Sequence, residues 1–303
     1  MKAGSTGYRN SIESVHMTLK DKTLFITGAS RGIGLAIGLR AARDGANVVI
    51  AAKTEKPHPK LPGTIHTAAE QVESAGGHAL PLVVDVRDEA SVRAAVDATV
   101  DRFGSIDICV NNASAISLTG TLQTDMKRYD LMHQINARGT FLVTRQCIPH
   151  LRKSANPHVL ALCPPLELRP QWFAPYPAYT VAKFGMSLYM MAMAAEFQHE
   201  GIAFNGLWPR TTIATSAVKL AIGNGELFDH SRRPEIIADA AHAILCRPAR
   251  ACTGRFFLDD EVLWAEGVTD FGRYALDPAA ELPVDLFVDP TAPAPPGVRV
   301  APR

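Results

Sequence analysis

Residues 23–34 read Thr23-Leu24-Phe25-Ile26-Thr27-Gly28-Ala29-Ser30-Arg31-Gly32-Ile33-Gly34, in which five strand-forming residues run directly into a glycine-rich turn. A helix-forming apolar segment follows at once, from Leu35 to Ala42. Gly28 permits a tight turn, Gly32 lets a ligand approach the backbone, and Gly34 lets the helix begin close to the sheet. The backbone N–H groups of the turn and the N-terminal end of that helix, which carries the positive end of the helix dipole, then face the same point. This context predicts a site for the pyrophosphate of a dinucleotide.

The same alternation of strand and helix continues along the chain. Predicted strands cover residues 23–27, 46–51, 79–84, 107–110, 158–162, 203–208 and 254–258, and predicted helices begin near Gly34, Thr64, Glu89, Asp125, Pro177 and Pro234. Continuous apolar runs such as Val48-Val49-Ile50 indicate strands that are covered on both faces, and crossover helices imply parallel pairing. We therefore predict an α/β fold of the doubly wound Rossmann type, with a seven-stranded parallel sheet and helices on both faces.

We expect the chain to divide into a flexible leader over residues 1–20, one Rossmann-type catalytic domain over residues 21–289, and a tail over residues 290–303. The tail is rich in proline and alanine, so we expect it to be extended or disordered. The predicted helix from Pro177 carries methionines and alanines on more than one face. It is either enclosed against the sheet or packed against another subunit, and we expect a homodimer or homotetramer.

Composition excludes several classes of protein. Of the 303 residues, 47% are hydrophobic and 20% are charged, as in ordinary globular proteins rather than disordered or fibrous ones. The formal net charge is +1, with no basic block, so nucleic acid is not an expected partner. No apolar run reaches the roughly 18 to 20 residues of a membrane span, and the first residues are too polar for a secretory signal. We expect a cytoplasmic protein.

Cysteine and histidine patterns also argue against other chemistries. Five cysteines, with no C-x-x-C spacing, suit a reducing compartment and leave a disulfide framework improbable. Ten histidines occur without H-E-x-x-H or another metal-ligand spacing, so no metal site is predicted. The chain lacks a G-x-S-x-G elbow, which argues against a serine hydrolase.

Residues after the second predicted strand bear on the choice of cofactor. An NAD enzyme presents an acidic residue there to the ribose 2′-hydroxyl, whereas this chain reads Ile50-Ala51-Ala52-Lys53-Thr54. Lys53, together with Arg31 in the glycine loop, can neutralise a 2′-phosphate instead. We therefore predict NADP(H), with NAD as the less favoured alternative.

Tyr179 and Lys183 begin the helix that follows Pro177, and a spacing of four residues places both side chains on one face, one turn apart. An isolated tyrosine has a pKa near 10, so a neighbouring ammonium is needed to bring its phenolate towards neutral pH. Such a pair can exchange a proton with a carbonyl or alcohol oxygen.

Together these segments resemble the short-chain dehydrogenase/reductase family, over about Lys22 to Asp289. Three stretches, Lys53 to Thr64, Asn111 to Leu118 and Leu207 to Thr212, are similar to its hydroxysteroid dehydrogenase-like protein 2 subgroup. Some members of that subgroup carry a C-terminal sterol-carrier domain, which we do not expect in these 303 residues.

The resemblance implies roles for further residues. Asp85-Val86 looks like the family's adenine contact, Asn111-Asn112-Ala113-Ser114 like its N-N-A-G motif, and Asn136 like the asparagine of its proton relay. Ile213 would contact the nicotinamide carboxamide through its backbone, with the Thr215 hydroxyl nearby. The resulting cofactor set is Gly28, Ser30, Arg31, Gly32, Ile33, Gly34, Lys53, Asp85, Val86, Asn112, Ala113, Tyr179, Lys183, Pro209, Ile213 and Thr215. The catalytic set is Tyr179, Lys183, Asn136 and Cys163.

Two positions depart from the family pattern. Cys163 stands where the family has its catalytic serine, and a thiol is a weaker hydrogen-bond donor than a hydroxyl. Losing one oxyanion-type donor costs on the order of 10²-fold in rate, although Cys163 can equally be a small buried residue that ends a strand. Pro209-Arg210 replaces the usual P-G and adds one residue, so Arg210 is a candidate contact for a phosphate or an anionic substrate.

Two hypotheses of function result. In the first, the protein is an NADP-dependent oxidoreductase for a small lipophilic ketone, aldehyde or secondary alcohol. In the second, it binds the nucleotide but turns over little or nothing, and serves as a sensor or an assembly partner. A set of apolar residues near the site lines either a lipophilic pocket or the core: Leu166, Leu168, Trp172, Phe173, Trp208, Leu227 and Phe228.

Overall fold

The computed structural model describes residues 18–59, 61–216, 218–219 and 228–301. Within these ranges, seven strands form one parallel sheet in the order β3-β2-β1-β4-β5-β6-β7. The strands are β1 (Thr23–Thr27), β2 (Asn47–Ala52), β3 (His78–Val83), β4 (Ile108–Asn111), β5 (His158–Leu162), β6 (Ala203–Trp208) and β7 (Phe256–Leu258). The predicted doubly wound parallel sheet is thereby confirmed.

Strand boundaries differ from the prediction by one or two residues at β2, β3, β4 and β7. At β7 the cause is local, because Gly254 adopts a left-handed backbone (φ +71°) and its N–H already bonds to Phe204 O at 2.8 Å. Gly254 therefore belongs to the turn, and the strand begins only at Phe256. At β2, polar Asn47 replaces Ala46 as the first residue because it pairs with Thr23 in the parallel register.

Helices cover both faces of the sheet. They are α1 (Gly32–Ala42), α2 (Ile65–Ser74), α3 (Glu89–Phe103), α4 (Met126–Met132), α5 (Gly139–Leu151), α6 (Pro170–Phe173), α7 (Pro177–Glu196), α8 (Glu235–Leu245) and α9 (Asp259–Ala265). A single π-helical turn, His133–Arg138, joins α4 to α5.

Alternating side chains of β1 divide the core into two layers. Leu24 and Ile26 pack with α1, α2 and α8, whereas Phe25 packs on the opposite face with α3, α5 and α7. This period of two, with both faces apolar, is what a buried parallel strand requires. The order of the strands reverses between β1 and β4, so the carboxyl ends of these two strands frame a crevice where doubly wound folds bind ligands.

The C-terminal part of the described chain folds back over the carboxyl edge of the sheet. Val284 pairs with Thr211, just after β6, and Leu282 pairs with Val300. The predicted tail therefore differs from the expectation of an extended or disordered end, because residues 290–301 return to Leu282, where Ala301 N donates to Leu282 O at 2.8 Å. Of the predicted leader, residues 1–17 lie outside the described ranges.

Candidate active site

The glycine loop between β1 and α1 has the geometry of an anion cradle. Gly28 and Gly32 adopt left-handed backbones, with φ of +67° and +59°. A Cβ on Gly34 would lie 2.5 Å from Asn112 Nδ2, so no larger residue fits there. No side chain caps the first turn of α1, so its N–H groups have no side-chain partner at the N-cap position. These features fit the pyrophosphate of a dinucleotide.

Thr27, the last residue of β1, ties this loop to the Asn111–Ser114 segment after β4. Its hydroxyl accepts from the backbone N–H groups of Asn112 and Ala113, both at 3.0 Å, and donates to Val110 O at 3.2 Å. Asn112 Nδ2 in turn donates to Thr27 O at 2.8 Å. The sequence analysis did not single out Thr27, although it directly precedes the first glycine of the motif.

Arg31 holds a second segment across the glycine loop. Its guanidinium donates to Pro62 O at 2.8 Å and to Gly63 O at 2.9 Å. Gly63 has a φ of +79°, and a Cβ there would lie 2.8 Å from Ser30 O. Pro62 and Gly63 therefore pack directly on the cradle, and Arg31 contributes to their position as well as to the charge of the site.

Lys53, at the end of β2, lies within reach of an acid. Its ammonium is 3.0 Å from Asp85 Oδ2, beyond the end of β3. Arg87 also binds Asp85, at 2.6 Å, and this hydrogen bond holds the pKa of the Asp85 carboxyl well below its usual range, with Lys53 contributing less. The predicted adenine contact and the predicted phosphate contact are thus partners of each other, and Val86 lies next to them in a buried position.

The predicted catalytic pair lies one turn apart near the start of α7. Both side chains are buried, Tyr179 at 5% and Lys183 at 3% exposure. The Lys183 ammonium donates to Leu162 O at 2.8 Å, at the carboxyl end of β5, and lies 5.1 Å from the centre of the Trp208 ring. Burial lowers the pKa of Lys183 to about 8.

Tyr179 differs from the sequence-based prediction. Its pKa is raised well above the ordinary value, first by burial and then by the charge of Asp285. We expected the neighbouring ammonium to lower this pKa. The correction has a physical reason: the loss of solvation of a phenolate outweighs the attraction of an ammonium that is bonded to the Leu162 carbonyl.

Cys163 follows β5 directly, at the position where the family has a serine, and is fully buried. A Cβ on Gly206 would lie 2.9 Å from its Sγ, so the thiol packs against β6. Burial raises the pKa of the thiol to about 11, and it therefore stays protonated at neutral pH. Its surroundings are those of a small core residue.

Asn136 lies in the π-helical turn between α4 and α5 and is fully buried. Its side-chain amide makes two hydrogen bonds to one residue: Oδ1 accepts from Ala115 N at 2.8 Å, and Nδ2 donates to Ala115 O at 2.9 Å. The oxygen and the nitrogen of this side-chain amide therefore both hold the chain after β4. Single π turns of this kind are frequent at functional sites.

The loop after β6 brings the last predicted cofactor residues to the glycine loop. A Cβ on Gly32 would lie 3.6 Å from Thr215 Cγ2, which places Thr215 directly beside the cradle. Pro209 directly follows β6, and Ile213 is buried and pairs with Arg232. The cradle, Tyr179 and this loop all lie at the carboxyl ends of the central strands.

Arg210 is not available to a phosphate, contrary to the alternative raised above. It is buried at 1% exposure, and its guanidinium binds Asp260 at 2.8 Å and Glu261 at 2.6 Å. Its backbone N–H also donates to Asp259 Oδ1 at 2.9 Å. Arg210 thus joins the loop after β6 to α9.

The apolar residues near the site separate into two groups. Trp172 and Trp208 are buried in one cluster with Tyr179, and Leu166 and Phe173 pack against it, whereas Leu168 is exposed. Leu227 lies outside the described residues, and Phe228 is half-buried with Lys219 over its ring. The cluster also contains Phe287 from the C-terminal segment, which the sequence analysis did not anticipate.

One group of potential metal ligands occurs elsewhere, between α1 and α8. Atoms of Asp44, His242 and Cys246 lie within 4.8 Å of one another. Arg40 donates to Asp44 Oδ1 at 3.0 Å and lies 3.2 Å from His242 Nδ1, so a fixed positive charge already neutralises the acid. This arrangement works against a bound cation.

Comparisons with known proteins identify the family of the chain. The family pattern for short chain dehydrogenases matches residues 22–221. Over 267 residues, the chain is 58% identical to hydroxysteroid dehydrogenase-like protein 2 of Danio rerio, covering 88% of this chain and 64% of that protein. A crystal structure of a putative dehydrogenase from Xanthomonas campestris has a TM-score of 0.88 at 59% identity, covering 90% of this chain and 100% of that one. A short chain dehydrogenase from Mycobacterium thermoresistibile has a TM-score of 0.87 at 52% identity, covering 94% and 100%.

The chain therefore belongs to the short-chain dehydrogenase/reductase family, a class of oxidoreductases that work with nicotinamide cofactors. The predicted resemblance to the hydroxysteroid dehydrogenase-like protein 2 subgroup is confirmed. The chain spans 64% of the length of the curated relative from Danio rerio. Within the described ranges, no helix has both the length and the apolar character needed to cross a membrane.

Proposed function

We propose that the protein transfers a hydride between NADP(H) and a lipophilic ketone, aldehyde or secondary alcohol. The observation that carries this proposal is the placement of Tyr179 and Lys183 on one face of α7, at the carboxyl edge of the sheet where the glycine loop forms its cradle. When bound, the nicotinamide supplies or accepts the hydride. The protein's own residues bind and orient the two reactants, and they move the proton.

Tyr179 is the proposed proton carrier. Because burial keeps its hydroxyl protonated, the residue is suited to donate a proton to a carbonyl oxygen that receives a hydride. Lys183, fixed by Leu162 O and one helical turn from Tyr179, is the proposed source of positive charge for the reaction and the proposed ribose contact. The link from Lys183 through Asn136 to water stays a prediction.

The choice of NADP(H) depends on Lys53 and Arg31. Lys53 directly follows β2 and Arg31 lies in the glycine loop, and Asp85, the acid that Lys53 contacts, already has two cationic partners in Lys53 and Arg87. An additional phosphate would share Lys53, whose side chain is 59% exposed and long enough to reorient. A ribose 2′-hydroxyl, by contrast, would meet no unpaired carboxylate at Asp85.

A lipophilic substrate is proposed from the character of the wall beside Tyr179. Trp172, Trp208 and Phe287 belong to the same apolar cluster as the catalytic tyrosine. Such a wall favours an apolar group next to the carbonyl over a charged one.

The alternative function, a nucleotide-binding sensor or assembly protein, is favoured by one observation. The Cys163 thiol packs against Gly206 and has no hydroxyl to offer a carbonyl oxygen. In that case the cradle would bind NADPH while hydride transfer remains slow.

One experiment separates the two functions. Purified protein is mixed with NADPH and a panel of ketones and aldehydes, and the nicotinamide absorbance is followed for wild type, Tyr179→Phe and Cys163→Ser. Turnover by wild type that is lost in Tyr179→Phe supports the enzyme. Tight NADPH binding without turnover, restored by Cys163→Ser, supports the sensor. Tyr189→Phe, on the same helix, is the matched control and should resemble wild type.

We further propose a homodimer or homotetramer formed through α7 and α5. Val181, Leu188 and Met191 on α7, and Phe141 on α5, are apolar yet 41% to 49% exposed. Other residues of α7, such as Met186 and Met190, are fully buried, so this helix has one face in the core and another towards solvent. Light scattering at micromolar concentration tests this proposal. A monomer would contradict it, and Leu188→Glu should dissociate the oligomer.

A further inference from the structure

Tyr179 is only 5% exposed, although a substrate oxygen has to come within hydrogen-bond distance of its hydroxyl. The residues that cover the tyrosine therefore limit the space that a substrate can take. The ring of Phe287 is part of this cover, with its centre 6.1 Å from the centre of the Tyr179 ring.

Phe287 is packed among the residues that surround the reaction site. Its ring lies 5.7 Å from Trp208 and 5.6 Å from Phe184, in an edge-on arrangement with the latter. The side chain is 2% exposed. It therefore fills apolar space directly beside the proposed proton carrier.

Residues 284–289, which we term the cap segment, hold this ring from two sides. At one end, Asp285 N donates to Arg210 O at 2.8 Å, next to the pairing of Val284 with Thr211. At the other end, the Asp289 carboxylate accepts from Arg169 at 2.7 Å, on the loop after β5. Between them, Trp208 Nε1 donates to Leu286 O at 2.8 Å. The cap segment thus spans the two loops that border the site.

The backbone of Phe287 has an unusual conformation. Its φ is +68°, in the left-handed region that bulky residues rarely adopt. Strained positions of this kind persist only where the surrounding structure enforces them, and they are concentrated at ligand-binding sites. Here the residue in this conformation is the one whose ring lies against Tyr179.

We propose that Phe287 is a specificity-determining residue, whose ring occupies the space beside Tyr179 that the apolar part of a large substrate would take. A small ketone fits beside the ring, whereas a larger one has to displace it together with the cap segment. This inference rests on the proposed function, since it names the residue that sets substrate size at the same site.

The test compares two ketones that differ in bulk, 2-butanone and the bicyclic 2-decalone, with NADPH and the full chain. Phe287→Leu keeps the Cβ, so the backbone remains equally strained and only the ring is shortened. We expect it to raise the ratio of kcat/KM for 2-decalone over 2-butanone by about tenfold. Room for even one more carbon in an apolar pocket usually changes the discrimination between substrates by about this factor. Phe287→Trp should lower that ratio.

Phe271→Leu is the matched control, because Phe271 is equally buried in the C-terminal part but belongs to the core layer on the opposite face of the sheet. It should leave the ratio unchanged. An unchanged ratio in both Phe287 variants, or an equal change in Phe271→Leu, would overturn the inference. Without turnover in wild type, the proposed function fails. The size preference is then decided by calorimetric dissociation constants of the two ketones for the NADPH complex, with the same variants and the same expected ratios.

Discussion

The Lys53 ammonium lies 3.0 Å from Asp85 Oδ2, although the two residues follow different strands, β2 and β3. The parallel register between these strands, which runs to Ala52 and Val83, brings their carboxyl ends together at the edge of the cofactor crevice. Asp85 is also bound by Arg87, so Lys53 can turn to another anion without leaving the carboxylate unpaired. Under the proposed function, this relationship is what would let the protein distinguish NADPH from NADH.

Lys53→Ala should weaken NADPH binding by roughly tenfold or more, the usual cost of a lost hydrogen bond to a charged group, and change NADH binding little. The measurement is a fluorescence titration of both nucleotides. Lys56→Ala, in the same exposed loop, is the matched control. Equal losses of both nucleotides in Lys53→Ala would remove the preference for NADPH.

Gly34→Ala should abolish dinucleotide binding. The new Cβ would lie 2.5 Å from Asn112 Nδ2 and 2.9 Å from Gly28 O, so the wall of the cradle has to move. The control is Gly104→Ala, whose Cβ would meet no atom within 4 Å but whose φ of +78° is strained. It should lower stability by about 1 to 2 kcal/mol and leave NADPH binding unchanged. Tight binding by Gly34→Ala in calorimetry would contradict the assigned cradle.

Lys183→Met should stop carbonyl reduction and change how stability depends on pH. Below the folded pKa of about 8, Lys183 is charged in both states and burial penalises the folded one fully. Between pH 8 and the ordinary value of 10.5, the folded protein binds fewer protons than the unfolded chain, so stability rises with pH. The difference in thermal midpoint between wild type and Lys183→Met isolates this change. A constant difference from pH 7 to 10 would contradict the lowered pKa.

Arg210→Met should destabilise the protein by about 3 to 5 kcal/mol, because it removes the cation whose Nε contacts both oxygens of the buried Asp260 carboxylate, while Arg232 lies farther from that carboxylate, at 3.4 Å. Arg145→Met is the control, since its ion pair with Glu89 is exposed and should cost about 1 kcal/mol or less. Urea unfolding measures both. A similar small effect for the two variants would show that the Arg210 network contributes little to folding.

The elements whose signals are local were predicted well from the sequence. β1, β5 and β6 begin and end at the predicted residues, and α7 begins at Pro177 as expected. The turn from β1 into α1 could be predicted because Gly28 and Gly32 meet a local requirement, a left-handed backbone. These features depend on neighbours within a few residues, which periodicity and glycine placement record directly.

Features that depend on distant contacts were missed. Phe287 meets Tyr179 across more than a hundred residues, and no pattern near either position indicates the contact. Arg31 carries a charge suited to phosphate, yet its guanidinium binds the carbonyls of Pro62 and Gly63. The pKa of Tyr179 was misjudged for the same reason. Its burial is a property of the packed cluster, while the sequence displays only the nearby lysine.

Thr27 joins both sides of the nucleotide crevice through one oxygen atom, which serves two successive amides after β4 and the carbonyl of Val110. The width of that opening is consequently set during folding and not upon arrival of a ligand. These groups are therefore ordered before a dinucleotide binds, so little of the interaction energy is lost to ordering them and more of it contributes to affinity and orientation.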